Sequence, residues 1–385
     1  MAFLWLCPTW DVWGQSQPVL TLKSGAAVLM DGATGQILFE KNPERRFPPA
    51  SLAKMMTLYL ALDAVKRGDT KPDDEVIVSK KAWKMGGSQM FLEVGDKVKF
   101  IELIKGAAAI SANDGALAIA ESMAGSEEVF VHQMNEKAKV LGMENTRFAN
   151  PHGLPREGQF TTALDMVRLG FHYVRDHPDA IKYHALLWYT YGDIKQKNWN
   201  PLLTKNLGVD GLKTGYLRTS GYHILFSSKQ DNRRLIGVVM GGETAENRND
   251  DAVKLIGYGF KNFSSHTVVN EGEIVGKVEV PHGSPPEVDL LATKTLVVTV
   301  PKGKKASIPL KKEIPPSVNP PISKGNILGK LVLEGEGFPR MEIDLAATQE
   351  VRVKSYAVYY LIGVGVLVTL FGWVFWRRRS FRKRR

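Results

Sequence analysis

Cysteine is almost missing from this chain. Cys7 is the single one among 385 residues, so no intramolecular disulfide can form and a cysteine-based metal centre is excluded. The eight histidines are scattered without ligand spacing, so no metal and no cofactor are expected. His152, in Pro151-His152-Gly153, is the nearest metal candidate and reads as part of a turn. A basic stripe on a folded domain is also lacking. The formal net charge is +11, but the last nine residues are basic at every position except Ser380 and Phe381 and hold no acid. The body is therefore mildly basic, and nucleic acid is not an expected partner. The N-terminus lacks a basic n-region, and its apolar patch from Ala2 to Cys7 is short. Residues 1–19 read as an atypical signal or leader.

With 44% hydrophobic and 24% charged residues, the composition is that of a globular protein with a sizeable core. Long apolar runs are absent until Tyr356–Trp376, which is uncharged over its whole length. At helical rise this run spans roughly 31 Å, enough for a bilayer core. Tyr356, Tyr359 and Tyr360 stand at one end, Trp373 and Trp376 at the other, and an arginine cluster follows. The expectation is a transmembrane anchor at 356–376, a cytoplasmic tail at 377–385 and a body on the outer, extracytoplasmic face of the cell membrane, with membrane lipid as a partner.

Before that run, two textures alternate. Residues 25–30 and 36–40 read as strands around Asp31-Gly32-Ala33-Thr34-Gly35, with Gly32 and Gly35 supplying positive φ. Pro48-Pro49 breaks the chain, and a helix is predicted from about Ser51 to Lys66, with Met55, Leu58, Leu62 and Val65 at helical spacing. Residues 75–78 form a short strand candidate. An alanine-rich helical stretch at 100–123 is interrupted at Ser111–Asn113. Helices follow at 126–141 and 163–176, strands at 221–227 and 235–241, and a helix at 247–260. This gives a mixed α/β (α+β) domain over 20–262. From 263 to 350, short β-type runs between glycine and proline clusters predict a small all-β domain.

Three short segments carry chemistry. Ser51 and Lys54 lie one helical turn apart on one face. A serine hydroxyl needs an adjacent base to become a nucleophile, and lysine serves only if desolvation lowers its pKa; Lys54 sits among Leu52, Met55 and Met56. The backbone N–H of Ser51, at a helix N-terminus, suits an oxyanion. Alone the spacing is weak: Ser380-Phe381-Arg382-Lys383 has it too, and a serine there is often a helix cap. Ser111-Ala112-Asn113 places a hydroxyl and an amide in the helix break. Lys213-Thr214-Gly215 places a cation and a hydroxyl on an edge strand, where they can hold a carboxylate.

The three in this order form the signature of penicillin-binding proteins and class A β-lactamases, with Ser-Ala-Asn in the middle motif. The chain resembles the low-molecular-mass penicillin-binding proteins of the serine D-alanyl-D-alanine carboxypeptidase family. The resemblance rests on Pro49–Thr57, Ser111–Asp114, Phe148–Pro155 and Asp210–Gly215, and on the layout of catalytic domain, β domain and anchor. It implies a penicillin-binding-protein/β-lactamase-like transpeptidase fold. It also implies that Ser51 attacks the penultimate D-Ala carbonyl of a peptidoglycan pentapeptide and that Lys54 takes its proton. By the same resemblance, Ser111 would relay a proton to the leaving amine, Asn113 would bind the peptide amide, and Lys213 and Thr214 would bind the terminal carboxylate. The N–H groups of Ser51 and Tyr216 would form the oxyanion hole, and Arg248 would add charge near the carboxylate. β-Lactams are expected inhibitors. Many relatives carry His where this chain has Tyr216. The alternatives are a D,D-endopeptidase, a β-lactamase or a non-catalytic binder of wall peptides. A β-lactamase of class A needs an activating glutamate, and no convincing Glu-x-x-x-Asn loop lies between Ser111 and Lys213.

Overall fold

A computed structural model describes residues 20–303, 308–335, 338–355 and 357–382. Two compact units emerge. The first takes the chain to His266 and includes 299–305; the second takes the remainder. The first opens with the hairpin β1 (Ala26–Asp31) and β2 (Ile37–Lys41). A 3-10 turn at Ala50–Ala53 runs into α1 (Lys54–Arg67). Then come β3 (Glu75–Ile77), α2 (Lys80–Trp83), β4 (Lys97–Lys99), α3 (Phe100–Ala109), α4 (Asn113–Ala124) and α5 (Glu127–Val140). Next are α6 (Ala163–Asp176), α7 (Ile181–His184) and the hairpin β5 (Trp188–Tyr191) and β6 (Ile194–Lys197). β7 (Val209–Leu217), β8 (Gly221–Gln230), β9 (Arg233–Gly242) and α8 (Ala245–Asn262) close the unit.

The main sheet has the order β2-β1-β9-β8-β7, so β7 is an edge. Its central strands are covered on both faces, which explains why all six residues of β1 are apolar or buried. Val28, Met30, Ile236, Val238, Met240 and Leu225 face the larger core with α1, α3, α4 and α6. Ala27, Leu29, Leu235, Val239, Ile224 and Phe226 face the other core with α8. That odd-even split is the strand period read directly. Serine and threonine start three of the helices: Ser126, Thr162 and Thr244 accept from the N–H groups three residues on.

Two expectations need correcting. The helix expected from about Ser51 opens as the 3-10 turn Ala50–Ala53, and α1 itself starts at Lys54, with Ala53 at its cap position and no side-chain bond there. Gly35 has φ +71, but Gly32 is not in the left-handed region. Gly32 is small for another reason: its N–H donates to the Arg234 carbonyl at 2.8 Å, and a Cβ there would lie 3.0 Å from Arg234. The sequence also gave no warning of the β5–β6 hairpin, whose strands are short and mostly exposed.

Between the units the chain runs through β10 (Phe263–Val269). The second unit contains β11 (Ile274–Glu279), β12 (Gly283–Ser284) and β13 (Glu287–Ala292), with β14 (Leu296–Pro301) leading back. It continues with β15 (Leu310–Glu313), β16 (Ile327–Gly335), β17 (Phe338–Ala347) and β18 (Arg352–Val353). Its sheet has the order β11-β13-β17-β16-β15, every described pair in it antiparallel. After it, α9 covers Ala357–Arg382. Among the described residues, no helix is long and apolar enough to cross a membrane. The expected span at 356–376 is thus not met there; within it, residue 356 and the side chains of 357–361 and 375 lie outside the described residues.

Helices approach both sheet faces at glycine. On α6, a Cβ at Gly170 would lie 2.8 Å from Leu225 and 3.1 Å from Ile236; on α8, one at Gly259 would lie 2.6 Å from Leu235. Gly170→Val is therefore expected to overpack the larger core and to lower stability by about 1–3 kcal/mol. Urea unfolding followed by circular dichroism measures it, and an unchanged midpoint would refute this account of the contact.

Candidate functional site

The sequence-predicted residues come from four places: the 3-10 turn before α1, the break between α3 and α4, strand β7 and the start of α8. The turn is held in an unusual conformation. Ala50 has φ +51, a region costly for a residue with a Cβ. Two glycines press on it. A Cβ at Gly153 would sit 1.8 Å from the Ala50 carbonyl oxygen, and one at Gly215 would lie 3.1 Å from the Ala50 Cβ and 3.3 Å from the Ser51 nitrogen. Gly215 is thus small so that the protein's own turn can reach β7.

Ser51 is partly exposed, while Lys54 is fully buried. The Lys54 Nζ lies 3.1 Å from Ser51 Oγ, 2.6 Å from Asn113 Oδ1 and 2.6 Å from the His152 carbonyl oxygen. Burial pushes its pKa well below the usual lysine range, and the charge on Lys213 pushes the same way; Asp114 opposes them. Asp114 was missed as a site residue. Its buried carboxylate accepts from the N–H groups of Met90 and Leu92 and so fixes the loop after α2. That loop in turn holds Asn113, whose Nδ2 donates to the Gly86 carbonyl at 2.6 Å and whose N–H donates to Ser88 at 2.7 Å. The Gly86-Gly87-Ser88 run was the available signal: a Cβ at Gly87 would lie 2.7 Å from Asn113 Nδ2. Both ends of the Asn113 amide are thus already bonded within the protein.

Ser111 sits in the break with φ +64. Its hydroxyl is buried and makes no hydrogen bond among the described residues. The break arises because the N–H groups of Ile110 and Ala112 both reach back to Gly106, ending α3 before α4 begins. His152 serves through its backbone. Its ring accepts from the Leu154 N–H at 3.2 Å and is held neutral, its pKa lowered to about 3 by burial and by Lys54 and Arg156. Among the described residues no three His, Cys, Asp or Glu side chains gather to hold a metal.

On β7, Lys213 is buried and its Nζ donates to the Thr214 carbonyl at 3.0 Å. Burial, with Arg248 nearby, lowers its pKa to about 7. Arg248 is in the first turns of α8 and is also buried; it donates to the His223 carbonyl at 3.2 Å, and burial lowers its pKa to about 10. Tyr216 is half exposed, its ring 4.3 Å from that of Tyr222. Leu212 and Thr214 turn their carbonyls away from β8, toward His184 and Lys213. By strand parity the Tyr216 N–H also faces this outer edge, beside the Ser51 nitrogen that Gly215 approaches.

Lys213 carries the charge cost of burial. Its folded pKa is about 7 and its ordinary value 10.5. Between these pH values the unfolded chain holds the proton and the folded one releases it, so stability rises with pH in that window. Lys213→Met removes this group. The variant is expected to be more stable than the parent at pH 6, with the gap closing between about pH 7 and 10.5 by up to about 1.4 kcal/mol per pH unit. Urea midpoints across pH measure it; a gap independent of pH would show that Lys213 titrates normally.

The profile of the D-alanyl-D-alanine carboxypeptidase family matches residues 12–244, and that of the penicillin-binding protein 5 C-terminal domain matches 263–353. D-alanyl-D-alanine carboxypeptidase DacF of Bacillus subtilis is 35% identical over 359 residues, covering 90% of this chain and 90% of that protein. DacC of Escherichia coli is 38% identical, covering 87% and 86%. Among solved structures, penicillin-binding protein 5 of Haemophilus influenzae superposes with a TM-score of 0.78 at 34% identity, covering 88% of this chain and all of that one. Penicillin-binding protein D2 of Listeria monocytogenes, in an ampicillin-bound form, gives 0.58 at 29% identity and covers 63% of this chain and all of that one.

Proposed function

We infer the roles of the site residues from one premise: the chain belongs to the family of serine D-alanyl-D-alanine carboxypeptidases, and it is such a carboxypeptidase and penicillin-binding protein. The observation that carries the reading is the environment of Lys54. Asn113 Oδ1 and the His152 carbonyl can only accept. A neutral lysine has two N–H groups to give and one lone pair. The two acceptors take the N–H groups, so the lone pair faces the Ser51 hydroxyl. Asn113 thus acts chiefly by orienting Lys54, with the substrate amide a second partner for its oxygen.

Ser51 Oγ adds to the penultimate D-Ala carbonyl carbon as its proton passes to Lys54. The oxyanion lies between the N–H groups of Ser51 and Tyr216. Collapse breaks the peptide bond, and the leaving amine takes a proton through the unpartnered Ser111 hydroxyl. Lys213, Thr214 and Arg248 hold the terminal carboxylate. Water then attacks the acyl-enzyme carbonyl and releases the shortened peptide. Peptidoglycan peptides are the substrates, and β-lactams acylate Ser51 because their amide imitates the same end. The side chain of Tyr216 stacks on Tyr222 and has no part in the proton path.

We also propose that the apolar run at 356–376 anchors the protein to the cell membrane, body outside and basic tail in the cytoplasm. The exposed apolar side chains of α9, such as Ile362, Leu367 and Phe371, and the arginines after Trp376 support this.

Incubation with a pentapeptide ending in D-Ala-D-Ala is expected to release free D-Ala, and Ser51→Ala to abolish both that release and labelling by fluorescent penicillin. Release surviving in the variant would overturn the assignment. A chain ending at Lys354 is expected to keep the activity and to leave the membrane pellet on fractionation; a truncated chain that still sediments would remove α9 as the anchor.

A further inference from the structure

β7 is a sheet edge, so every second residue on it presents a carbonyl that needs a partner other than a strand. At Leu212, the residue before Lys213, that partner is a histidine from another element. His184 Nδ1 lies 3.0 Å from the Leu212 carbonyl oxygen, and its Nε2 lies 2.8 Å from the Tyr173 hydroxyl. A carbonyl only accepts, so Nδ1 carries the proton and Nε2 accepts from Tyr173. Both side chains are fully buried. The backbone around His184 is clamped as well: Asn198 Nδ2 donates to the His184 and Leu186 carbonyls at 3.0 and 2.8 Å. A Cβ at Gly211 would lie 2.9 Å from that of His184, so α7 and β7 meet in direct contact.

We propose that His184, oriented by Tyr173, is a positioning residue: it fixes the outer edge of β7 at Leu212 and through it the place of Lys213 in the carboxylate pocket. Lys213 needs such support. Among the described residues its own ammonium makes one hydrogen bond, to Thr214, and a lysine chain has several free torsions, so its backbone must be held for the charge to stay aimed. Tyr173 and His184 form no contact with Ser51 or Lys54 in the hydrogen-bond network. Burial lowers the His184 pKa to about 4, so the ring stays neutral and adds no third positive charge beside Lys213 and Arg248. The inference rests on the proposed role of Lys213.

The test compares two acyl donors that differ only at the end: diacetyl-L-Lys-D-Ala-D-Ala as the free acid and as its C-terminal amide. The ratio of their kcat/KM values measures carboxylate recognition. His184→Ala is expected to lower that ratio at least tenfold, roughly the value of one buried hydrogen bond plus lost alignment. The change should appear with the free acid, as a raised KM and a lowered kcat, with the amide little affected. His184→Asn, whose amide Nδ2 takes the place of the ring Nδ1 and can still donate to the Leu212 carbonyl, is expected to recover most of the ratio. Tyr173→Phe keeps the packing and removes only the hydroxyl, so it carries the test should His184→Ala fail to fold; about a threefold loss is expected there, smaller than for loss of the ring itself. An unchanged ratio in folded His184→Ala or, in its place, in Tyr173→Phe overturns the proposal, as does an equal loss with both donors. Absence of D-Ala release by the parent protein would overturn the functional reading, and this inference with it.

Discussion

The site depends on keeping one lysine out of water. Lys54 is fully buried, and a buried ammonium is costly unless it is paired or neutral. Among the described residues no carboxylate bonds to it. Its partners are an amide oxygen, a backbone carbonyl and a hydroxyl, which suit a neutral amine far better than a cation. Asp114 lies close enough to act on the charge but spends its oxygens on backbone N–H groups. On the proposed role of Lys54, the fold supplies a base by withholding a counter-ion, and the loops that donate the three partners have to be held tightly enough to make that arrangement last.

How they are held explains the backbone conformations at the site. Ala50 and Ser111 both occupy positive φ, and each adjoins a functional segment. Ala50 is trapped between Gly153 and Gly215, where no larger residue fits. Ser111 is trapped because α3 ends on Gly106 while Asn113 is already fixed by Ser88 and Gly86. Local strain at these two points is balanced by packing on all sides, and in return the Ser51 nitrogen is brought against β7 and the Ser111 hydroxyl is left without a partner.

Much of this was legible in the sequence, for reasons of periodicity. The strands of the main sheet that lie in its centre read as apolar runs, the long helices as 3.6-residue patterns, and the helix break at 111–113 as a polar interruption in an alanine-rich stretch. The order of Ser51, Lys54, Ser111, Asn113 and Lys213 pointed to one reaction class. What the sequence hid were contacts through the backbone and contacts between distant segments. The His152 ring drew attention as a possible ligand, yet its carbonyl is what touches Lys54. Asp114 acts by holding a loop more than twenty residues away in sequence. His184 and Tyr173 lie on elements that carry no motif, and only the fold brings them to Leu212. The short exposed strands of the β5–β6 hairpin lack the apolar alternation from which strands are read.

One buried lysine also acts on the other. The charge on Lys213 is one of the reasons Lys54 has a lowered pKa, while Arg248 lowers that of Lys213 in turn. A substrate carboxylate docked on Lys213 would offset that positive charge. The same event would therefore raise the proton affinity of Lys54, just when Ser51 has to give up its proton. On the proposed roles, carboxylate recognition and base strength are coupled through the electrostatics of one small, dry pocket. A donor without the carboxylate then loses twice, in binding and in activation of the nucleophile.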